Sequence, residues 1–338
     1  MDFVSGEILT VDGLSKGYIG FDNRKIVETG KGISPKKPIC KGLIVPYFVN
    51  AHTHIGDSFI RGKNIDLPKN VEELVGPPDG LKHRLLRESS DKDIIKGMEK
   101  SIEIMIKNGT GFFCDFRENG ILGIDQLKTA LNNWKISCFI LSRPDKLIYN
   151  KDEINNLLKK SDGVGISSIS DWEESELRKL ANHTKNENKI FGIHASERIR
   201  EDIDTILDLK PDFLVHMIKA TESDLICVKD NKIPIIFCPK SNNYFGLKPN
   251  YKLIEKTGVD FILGTDNAML NPPNILDELK FFQDQSKIFS KFDLLNKIIY
   301  GARKVLNLEC DILGPNSPAD FVVLDKQSLN ILYVSAYK

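Results

Sequence analysis

Short apolar runs alternate with amphipathic stretches along most of the chain. The apolar runs, rich in β-branched and aromatic residues, occupy positions 43–51, 110–116, 135–142, 163–168, 189–195, 212–217, 233–239 and 259–266. Patterns of helical period lie between most of them, at 91–109, 172–184 and 222–229. Apolar strands that alternate with helices form a parallel sheet covered on both faces, so eight such units predict an α/β protein with a (β/α)8 TIM barrel. The alternative, an open doubly wound sheet, would carry a GxGxxG phosphate motif, which this sequence lacks.

Both ends of the chain lie outside this repeating pattern. Residues 1–42 contain short strand-like runs between Gly and Asp turns, and residues 315–338 contain ADFVVLD and LNILYV. The two ends are predicted to form one small composite β-sandwich domain beside a barrel domain at 43–314. The segment 55–91 is rich in charge, with Gly and Pro-Pro, and has no clear period. A stretch of this kind predicts either a lid over a functional site or a partly helical surface insertion.

Composition and charge narrow the functional classes. Hydrophobic residues make up 41% of the chain and charged residues 28%, the balance of a soluble globular protein. Lys+Arg and Asp+Glu are equal at 47 each, which argues against a nucleic-acid-binding protein because phosphate binding needs a surplus of positive charge. No apolar run reaches the roughly 18 residues of a membrane span, so no membrane partner is expected. The N-terminal residues lack a secretion-signal pattern and the six cysteines form no CxxC pair, so we expect a cytoplasmic protein with reduced thiols.

Histidines gather at the ends of the predicted strands. The chain has six, at positions 52, 54, 83, 183, 194 and 216. His52 and His54 end the first strand, His194 the fifth and His216 the sixth, while Asp266 ends the eighth. In a barrel these ends meet at one rim, where active sites are built, and residues i and i+2 of a strand point the same way. Imidazoles with a carboxylate suit a divalent metal ion, Zn²⁺ or alternatively Fe²⁺, with a position open for a water molecule whose pKa is lowered to about 7.

The residue that bears on the reaction type is Glu197, three positions after His194. A carboxylate beside a metal site can take a proton from the attacking water and deliver it to a ring nitrogen or a leaving amine. The alternative is a solvated charge next to Arg198 and Arg200.

Six motifs together are highly specific: VPYFVNAHTHIGDSFIRG (45–62), GIHASE (192–197), FLVHM (213–217), CPKSNNYFG (238–246), LGTDNAM (263–269) and GARKVLNLECDILGPNSPADFVVLD (301–325). They resemble the motifs of the amidohydrolase superfamily, in its branch of mononuclear-metal deaminases and chlorohydrolases. The resemblance covers nearly the whole chain and implies a distorted barrel with a composite β domain.

The resemblance also implies roles for individual residues. It implies metal ligation by His52, His54, His194 and Asp266, with Glu197 as the proton shuttle. It implies that His216 lies just outside the ion and holds the attacking oxygen, and that Asp266 also accepts from the water. Binuclear members carry a carboxylated Lys or a Glu at the end of strand four, where this chain reads GVGISSISD, so the comparison implies a single ion.

Four polar residues near the barrel mouth are candidate substrate contacts. Lys82, Arg117 and Arg143 are candidates for binding a carboxylate or phosphate, since Arg binds such groups bidentately. Asn242 is a candidate for the edge of a heterocycle. The alternatives are structural ion pairs for the three cations and a turn-forming role for Asn242.

The resulting hypothesis is hydrolytic deamination of an aminated purine, pyrimidine, pterin or triazine by metal-activated water. The same site could instead open a cyclic amide or imidazolone ring or release chloride. A different class of function, a catalytically inactive barrel that acts as a binding protein, would be expected to lose metal ligands, whereas this chain retains them. The expected partner is a small heterocyclic substrate, and barrels of this kind often form homodimers.

Overall fold

Two β-sheets organise the chain. The structure, a computed structural model, describes residues 1–22 and 24–335. The strands are β1 (Asp2–Thr10), β2 (Gly13–Asp22), β3 (Lys25–Lys31), β4 (Cys40–Pro46), β5 (Phe48–His54), β6 (Thr110–Arg117), β7 (Ser137–Ser142), β8 (Gly163–Ile166), β9 (Ile190–Ala195), β10 (Phe213–His216), β11 (Ile235–Phe237), β12 (Phe261–Leu263), β13 (Asp266–Asn267), β14 (Phe321–Leu324) and β15 (Ile331–Val334).

Most of the helices lie between successive strands from β5 to β12. They are α1 (Val71–Val75), α2 (Leu81–Glu88), α3 (Asp91–Lys107), α4 (Gly120–Leu131), α5 (Lys151–Lys160), α6 (Glu174–Asn186), α7 (Ile203–Asp208), α8 (Glu222–Asp230), α9 (Pro239–Tyr244), α10 (Tyr251–Thr257), α11 (Ile275–Ser286), α12 (Lys291–Asn296) and α13 (Ala302–Val305). The predicted helices at 91–109, 172–184 and 222–229 correspond to α3, α6 and α8. Ser90 caps α3 by accepting a hydrogen bond from the backbone N–H of Asp93, which sets where that helix begins.

The larger sheet is a closed parallel barrel, as the sequence predicted. Strands β5 to β12 pair in chain order, and β13 pairs with β5. β12 and β13 are two parts of the eighth barrel strand: β12 bonds to β11, and β13 bonds to β5, the first strand of the barrel. Between them the backbone N–H of Thr265 donates to the carbonyl of His52 at 2.9 Å. A Cβ on Gly264 would lie 2.6 Å from the Cβ of His52, so glycine lets the two strands approach closely enough to close the barrel.

The smaller sheet confirms a β domain built from both ends of the chain. Its strand order is β15-β14-β4-β1-β2-β3, which places the two C-terminal strands beside N-terminal ones. Residues 23 and 336–338 of the predicted domain lie outside the described part of the chain. The strand predicted at 43–51 is divided, because the chain changes sheets after Pro46, which has no N–H to donate. The N–H of Tyr47 donates to Asp320 of the terminal domain, and that of Phe48 donates to Gly109 beside the barrel.

The segment 55–91 is partly helical and packs against the barrel mouth. It contains a 3-10 turn at Ile55–Ile60, then α1 and α2. Leu74, Lys82, His83 and Leu86 of this segment are buried, so it is a packed part of the domain rather than a solvated loop. Among the described residues, no helix is both long enough and apolar enough to cross a membrane.

Candidate metal centre

Five side chains meet at the carboxyl ends of the barrel strands. His52 and His54 end β5, His194 lies near the end of β9, His216 ends β10 and Asp266 begins β13. Strand register alone brings them to one rim, as the sequence reasoning anticipated. His216 and Asp266 have φ angles of 76° and 58°, in the left-handed region that such residues seldom adopt. Backbone strain of this kind concentrates at functional sites, where the surrounding structure holds it in place.

Four donor atoms converge on one point. The Nε2 of His194 lies 3.2 Å from that of His52 and 3.3 Å from that of His54. The Oδ1 of Asp266 lies 3.4 Å and 3.5 Å from the same two Nε2 atoms. Zinc–ligand bonds of about 2.0–2.1 Å in a tetrahedral site put neighbouring ligand atoms about 3.3–3.4 Å apart. The four atoms therefore have the spacing of a first coordination shell.

The protons of these histidines point away from the convergence point. His194 donates its Nδ1–H to the carbonyl of Ile166 at 2.7 Å, and His54 donates its Nδ1–H to Glu118 Oε1 at 2.8 Å. Both Nε2 atoms consequently carry lone pairs that face each other with no hydrogen between them. Burial lowers the pKa of His54 to about 3 and holds that of His194 well below its usual range, so both rings are neutral. Neutral imidazoles with converging lone pairs fit a bound divalent cation.

A second set of donor atoms, with His216 in place of His54, is looser. The atoms of His52, His194, His216 and Asp266 all lie within 4.8 Å of one another. However, Nδ1 of His216 accepts a hydrogen bond from the Nδ2 of Asn242 at 3.1 Å, which leaves the ring proton on Nε2. That proton makes Nε2 of His216 a hydrogen-bond donor rather than a ligand. The set with His54 is therefore the tighter of the two, and His216 stands beside it.

Glu197 lies next to His216 at the edge of the donor set. Its Oε1 accepts a hydrogen bond from the Nδ2 of Asn242 at 3.0 Å and lies 3.5 Å from the Nε2 of His216. Burial, reinforced by the negative charge of Asp266, raises the pKa of Glu197 to about 8. A carboxyl group with this pKa can both accept and release a proton near neutrality. The amide of Asn242 thus orients two neighbouring side chains at once.

Comparison with known proteins identifies the family. Residues 43–337 match the amidohydrolase family. The chain belongs to the amidohydrolase family. It is accordingly a hydrolase that acts on C–N bonds.

Relatives of this amidohydrolase occur in other organisms. It is 36% identical over 326 residues to an uncharacterized protein of Methanocaldococcus jannaschii, covering 90% of this chain and 81% of the relative. It is 32% identical over 284 residues to a putative aminohydrolase of Archaeoglobus fulgidus, covering 83% and 79%. It is 24% identical over 377 residues to a 5'-deoxyadenosine deaminase of Methanococcoides burtonii, covering 97% and 84%.

Solved structures share the fold of this amidohydrolase at low sequence identity. Helicobacter pylori aminofutalosine deaminase, in complex with methylthio-coformycin, superposes with a TM-score of 0.72 at 16% identity, covering 96% of this chain and 92% of that chain. An adenosine deaminase from Xanthomonas campestris with bound zinc gives 0.73 at 16% identity, covering 97% and 85%. Atrazine chlorohydrolase from Arthrobacter aurescens, complexed with zinc, gives 0.74 at 15% identity, covering 99% and 89%.

The main residue that sequence reasoning missed is Glu118, the hydrogen-bond acceptor of His54. It follows β6 in the segment FCDFREN and is only 4% exposed. Besides His54, it binds the Nζ of Lys82 at 2.7 Å and the Nη2 of Arg117 at 2.5 Å. The signal in the sequence is the cluster of charges at the end of an apolar strand, where such residues reach the barrel mouth.

The three cations named from the sequence have different surroundings. Arg117 is buried and bound by Asp115 and Glu118, and Lys82 is buried among acceptors. Arg143 lines the cleft above the metal centre. Over residues 1–22 and 24–335, its guanidinium makes no side-chain hydrogen bond or ion pair. Among these three cations, only the guanidinium of Arg143 is left open to a ligand.

The cleft above the metal centre has an apolar side and a polar far end. The segment 55–91 lines the cleft with Val71, Val75 and Pro77, and the loop after β9 lines it with Ile199. The far end of the cleft lies beyond the ends of β7 and β8. It is lined by Arg143, Ser167, Ser168 and Asp171. An ion pair between Glu72 and Arg198 joins α1 to the loop after β9.

Proposed function

We propose that this amidohydrolase deaminates an aminated nitrogen heterocycle by hydrolysis, using one divalent ion. The observation that carries the proposal is the placement of Glu197, a carboxyl of raised pKa, beside the N–H of His216 in the cleft that the donor set also lines. The same reaction type is supported by the names of similar proteins, among them the relative 5'-deoxyadenosine deaminase and the structural neighbour aminofutalosine deaminase. They make adenine compounds the first substrates to assay.

A metal held by His52, His54, His194 and Asp266 would lower the pKa of a water molecule and so supply the nucleophile near neutral pH. Three imidazoles and one carboxylate suit Zn²⁺, with Fe²⁺ as the alternative. One ion is proposed rather than two, because β8 is followed by Ser167 and Ser168 rather than by a lysine or glutamate that could bridge a pair.

The chain's own side chains carry the proton transfers. Glu197 takes one proton from the attacking water and delivers it to the ring nitrogen. It then carries the remaining proton, from the new hydroxyl group on the ring carbon, to the amine, so that ammonia departs and a carbonyl forms. The Nε2–H of His216 donates to the oxygen as negative charge develops on it. Asp266, besides its place in the donor set, accepts a hydrogen bond from the attacking water. Ser241 orients this carboxylate by donating to its Oδ2 at 2.5 Å.

The cleft supports a flat substrate with a polar substituent. The apolar side chains of Val71, Val75 and Ile199 suit the faces of a heterocycle. Asn242 is fully buried and does not line the cleft, so it contributes by holding Glu197 and His216 rather than by contacting the substrate. Arg143 is the proposed contact for a carboxylate, phosphate or carbonyl on the substituent. Lys82 and Arg117 contribute instead through the ion pairs that hold the rim together.

Replacement of Arg143 tests the anion contact. We expect Arg143→Met to raise KM for a substrate that bears a carboxylate or phosphate by about 10- to 100-fold, because a hydrogen bond to a charged group is lost. The value of kcat should change little. The matched control is Arg87→Met, which removes an exposed arginine paired with Asp79 outside the cleft. Equal KM increases for neutral and anionic substrates would argue against a specific contact.

The proposed reaction is tested by elemental analysis of protein purified without chelator, together with an ammonia-release assay over aminated heterocycles. We expect one equivalent of zinc or iron, and ammonia from at least one compound whose ring stays intact. Product with an opened ring, or release of chloride without ammonia, would instead assign the site to the alternative reactions. Two equivalents of metal would overturn the single-ion site.

A further inference from the structure

We propose that Glu118 and Lys82 are positioning residues for the ligand His54, and that Lys82 connects the segment 61–90 to both sides of the metal centre. The inference rests on the metal site of the proposed function but not on its substrate. It gives a role to two residues that the proton-transfer chemistry leaves unused.

Glu118 is fixed through both of its carboxylate oxygens. Oε1 accepts from the Nδ1 of His54 at 2.8 Å and forms an ion pair with the Nζ of Lys82 at 2.7 Å. Oε2 accepts from the Nη2 of Arg117 at 2.5 Å. With cations on both oxygens and little exposure, the carboxylate has no freedom to rotate. It therefore fixes the tautomer and the ring plane of His54, and both determine where the Nε2 lone pair points.

Lys82 has three ammonium hydrogens and three oxygen atoms around it. The Nζ atom lies 2.7 Å from Glu118 Oε1, 3.1 Å from Asn267 Oδ1 and 3.5 Å from Asp57 Oδ2. Asn267 directly follows the ligand Asp266, and Glu118 bonds the ligand His54. One lysine thus touches the immediate neighbours of two metal ligands that lie on different strands.

The position of Lys82 depends on how the segment 61–90 packs against the barrel. Lys82 is the second residue of α2 and is 2% exposed, so its ammonium reaches the rim only while α2 is packed there. A contact between the segment and the supports of two ligands couples their free energies. By linkage, metal binding should stabilise the docked segment to the same extent that docking strengthens metal binding.

The direction in which metal affinity changes on replacement of Lys82 distinguishes a positioning role from a purely electrostatic one. A lysine ammonium near a divalent ion repels it, so loss of that charge alone would tighten metal binding. Loss of a support for Glu118 and Asn267 would weaken it. Lys82→Met keeps the length of the side chain while removing the charge and all three contacts, so the direction of the change in metal affinity decides between the two roles.

The experiment measures Zn²⁺ affinity of the metal-free full chain by competition with a chromophoric chelator. We expect Glu118→Gln to raise the dissociation constant about 10- to 100-fold, the usual effect of losing an outer support of a metal ligand. We expect Lys82→Met to raise it by about 10-fold on the same grounds. The control is Arg200→Met, which breaks a bidentate ion pair with the buried Asp224 away from the centre and should leave the constant unchanged.

Hydrogen exchange supplies a second readout. In the wild-type chain, Zn²⁺ should slow amide exchange in residues 61–90, and Lys82→Met should remove that protection. Tighter or unchanged zinc binding in Lys82→Met would overturn the role of Lys82, and an unchanged constant in Glu118→Gln would overturn that of Glu118. If Lys82→Met does not fold, Glu118→Gln decides through the same two measurements. Failure of the wild-type chain to bind Zn²⁺ would instead refute the metal site itself.

Discussion

Replacing Glu197 with glutamine should lower kcat for ammonia release by about 10²- to 10⁴-fold, the range lost when a general acid–base group is removed. Glutamine keeps the shape of the side chain and its hydrogen bond to Asn242 can persist through the amide oxygen. It cannot carry a proton from water to a ring nitrogen. Steady-state kinetics on the first substrate found by the ammonia assay would measure the effect.

Two controls make the result for Glu197→Gln specific. The metal content of the variant should match that of the wild type, because Glu197 lies outside the donor set and its nearest partners are Asn242 and His216. Glu222→Gln removes a carboxylate that pairs with Lys256 on the surface, and its kcat should equal that of the wild type. A Glu197→Gln variant that keeps its metal and more than a tenth of wild-type kcat would rule out the proton-carrying role.

The gathering of the five side chains at one rim could be anticipated from the sequence because barrel topology alone produces it. His52 and His54 share a side of one strand, and His194, His216 and Asp266 each mark the end of another. In a parallel barrel all such ends meet at one rim, whatever the details of packing. The prediction therefore needed only the strand positions, and these survive small errors in strand boundaries.

Glu118 could not be assigned, because its role depends on register between neighbouring strands. β5 and β6 pair with irregularities at Phe48/Val49 and again between Asn50 and Thr53. Each irregularity shifts which residue after β6 faces His54, so counting along the strands cannot identify the partner. Lys82 is harder still, since it reaches Glu118 from a short helix whose docking is decided by tertiary packing.

Contacts distant in sequence also explain why the strands predicted at 43–51 and 259–266 are each divided in two. The run 43–51 is mostly apolar, but β4 ends at Pro46 in the smaller sheet and β5 begins at Phe48 in the barrel. The run 259–266 is broken at Gly264, where the close approach to His52 allows the eighth strand to bond with both of its neighbours. Hydrophobic pattern predicts that a segment is a buried strand, whereas the identity of its hydrogen-bonding partners comes from contacts distant in sequence.

His194→Gln should abolish both activity and the stabilisation that zinc gives to the folded chain. At free zinc 1,000-fold above the dissociation constant, binding stabilises a protein by about 4 kcal/mol. The Nε2 of His194 contacts those of His52 and His54, so its loss removes the atom nearest to two other donors. Thermal unfolding with and without zinc should show a large rise in Tm for the wild type and almost none for the variant.

The metal-free proteins should behave in the opposite way. Two unprotonated nitrogens at the 3.3 Å separation of His194 Nε2 and His54 Nε2 repel each other when no cation lies between them, and this repulsion destabilises the fold. The amide group of glutamine can donate hydrogen bonds to the facing lone pairs, so metal-free His194→Gln should be at least as stable as the metal-free wild type. His183→Gln is the matched control, because His183 bonds Tyr149 and Asn155 instead of the rim and should keep the full response to zinc. A variant that responds to zinc like the wild type would show that His194 is not a ligand, whereas lower stability in the metal-free state would show that the histidine is held by packing rather than by the ion.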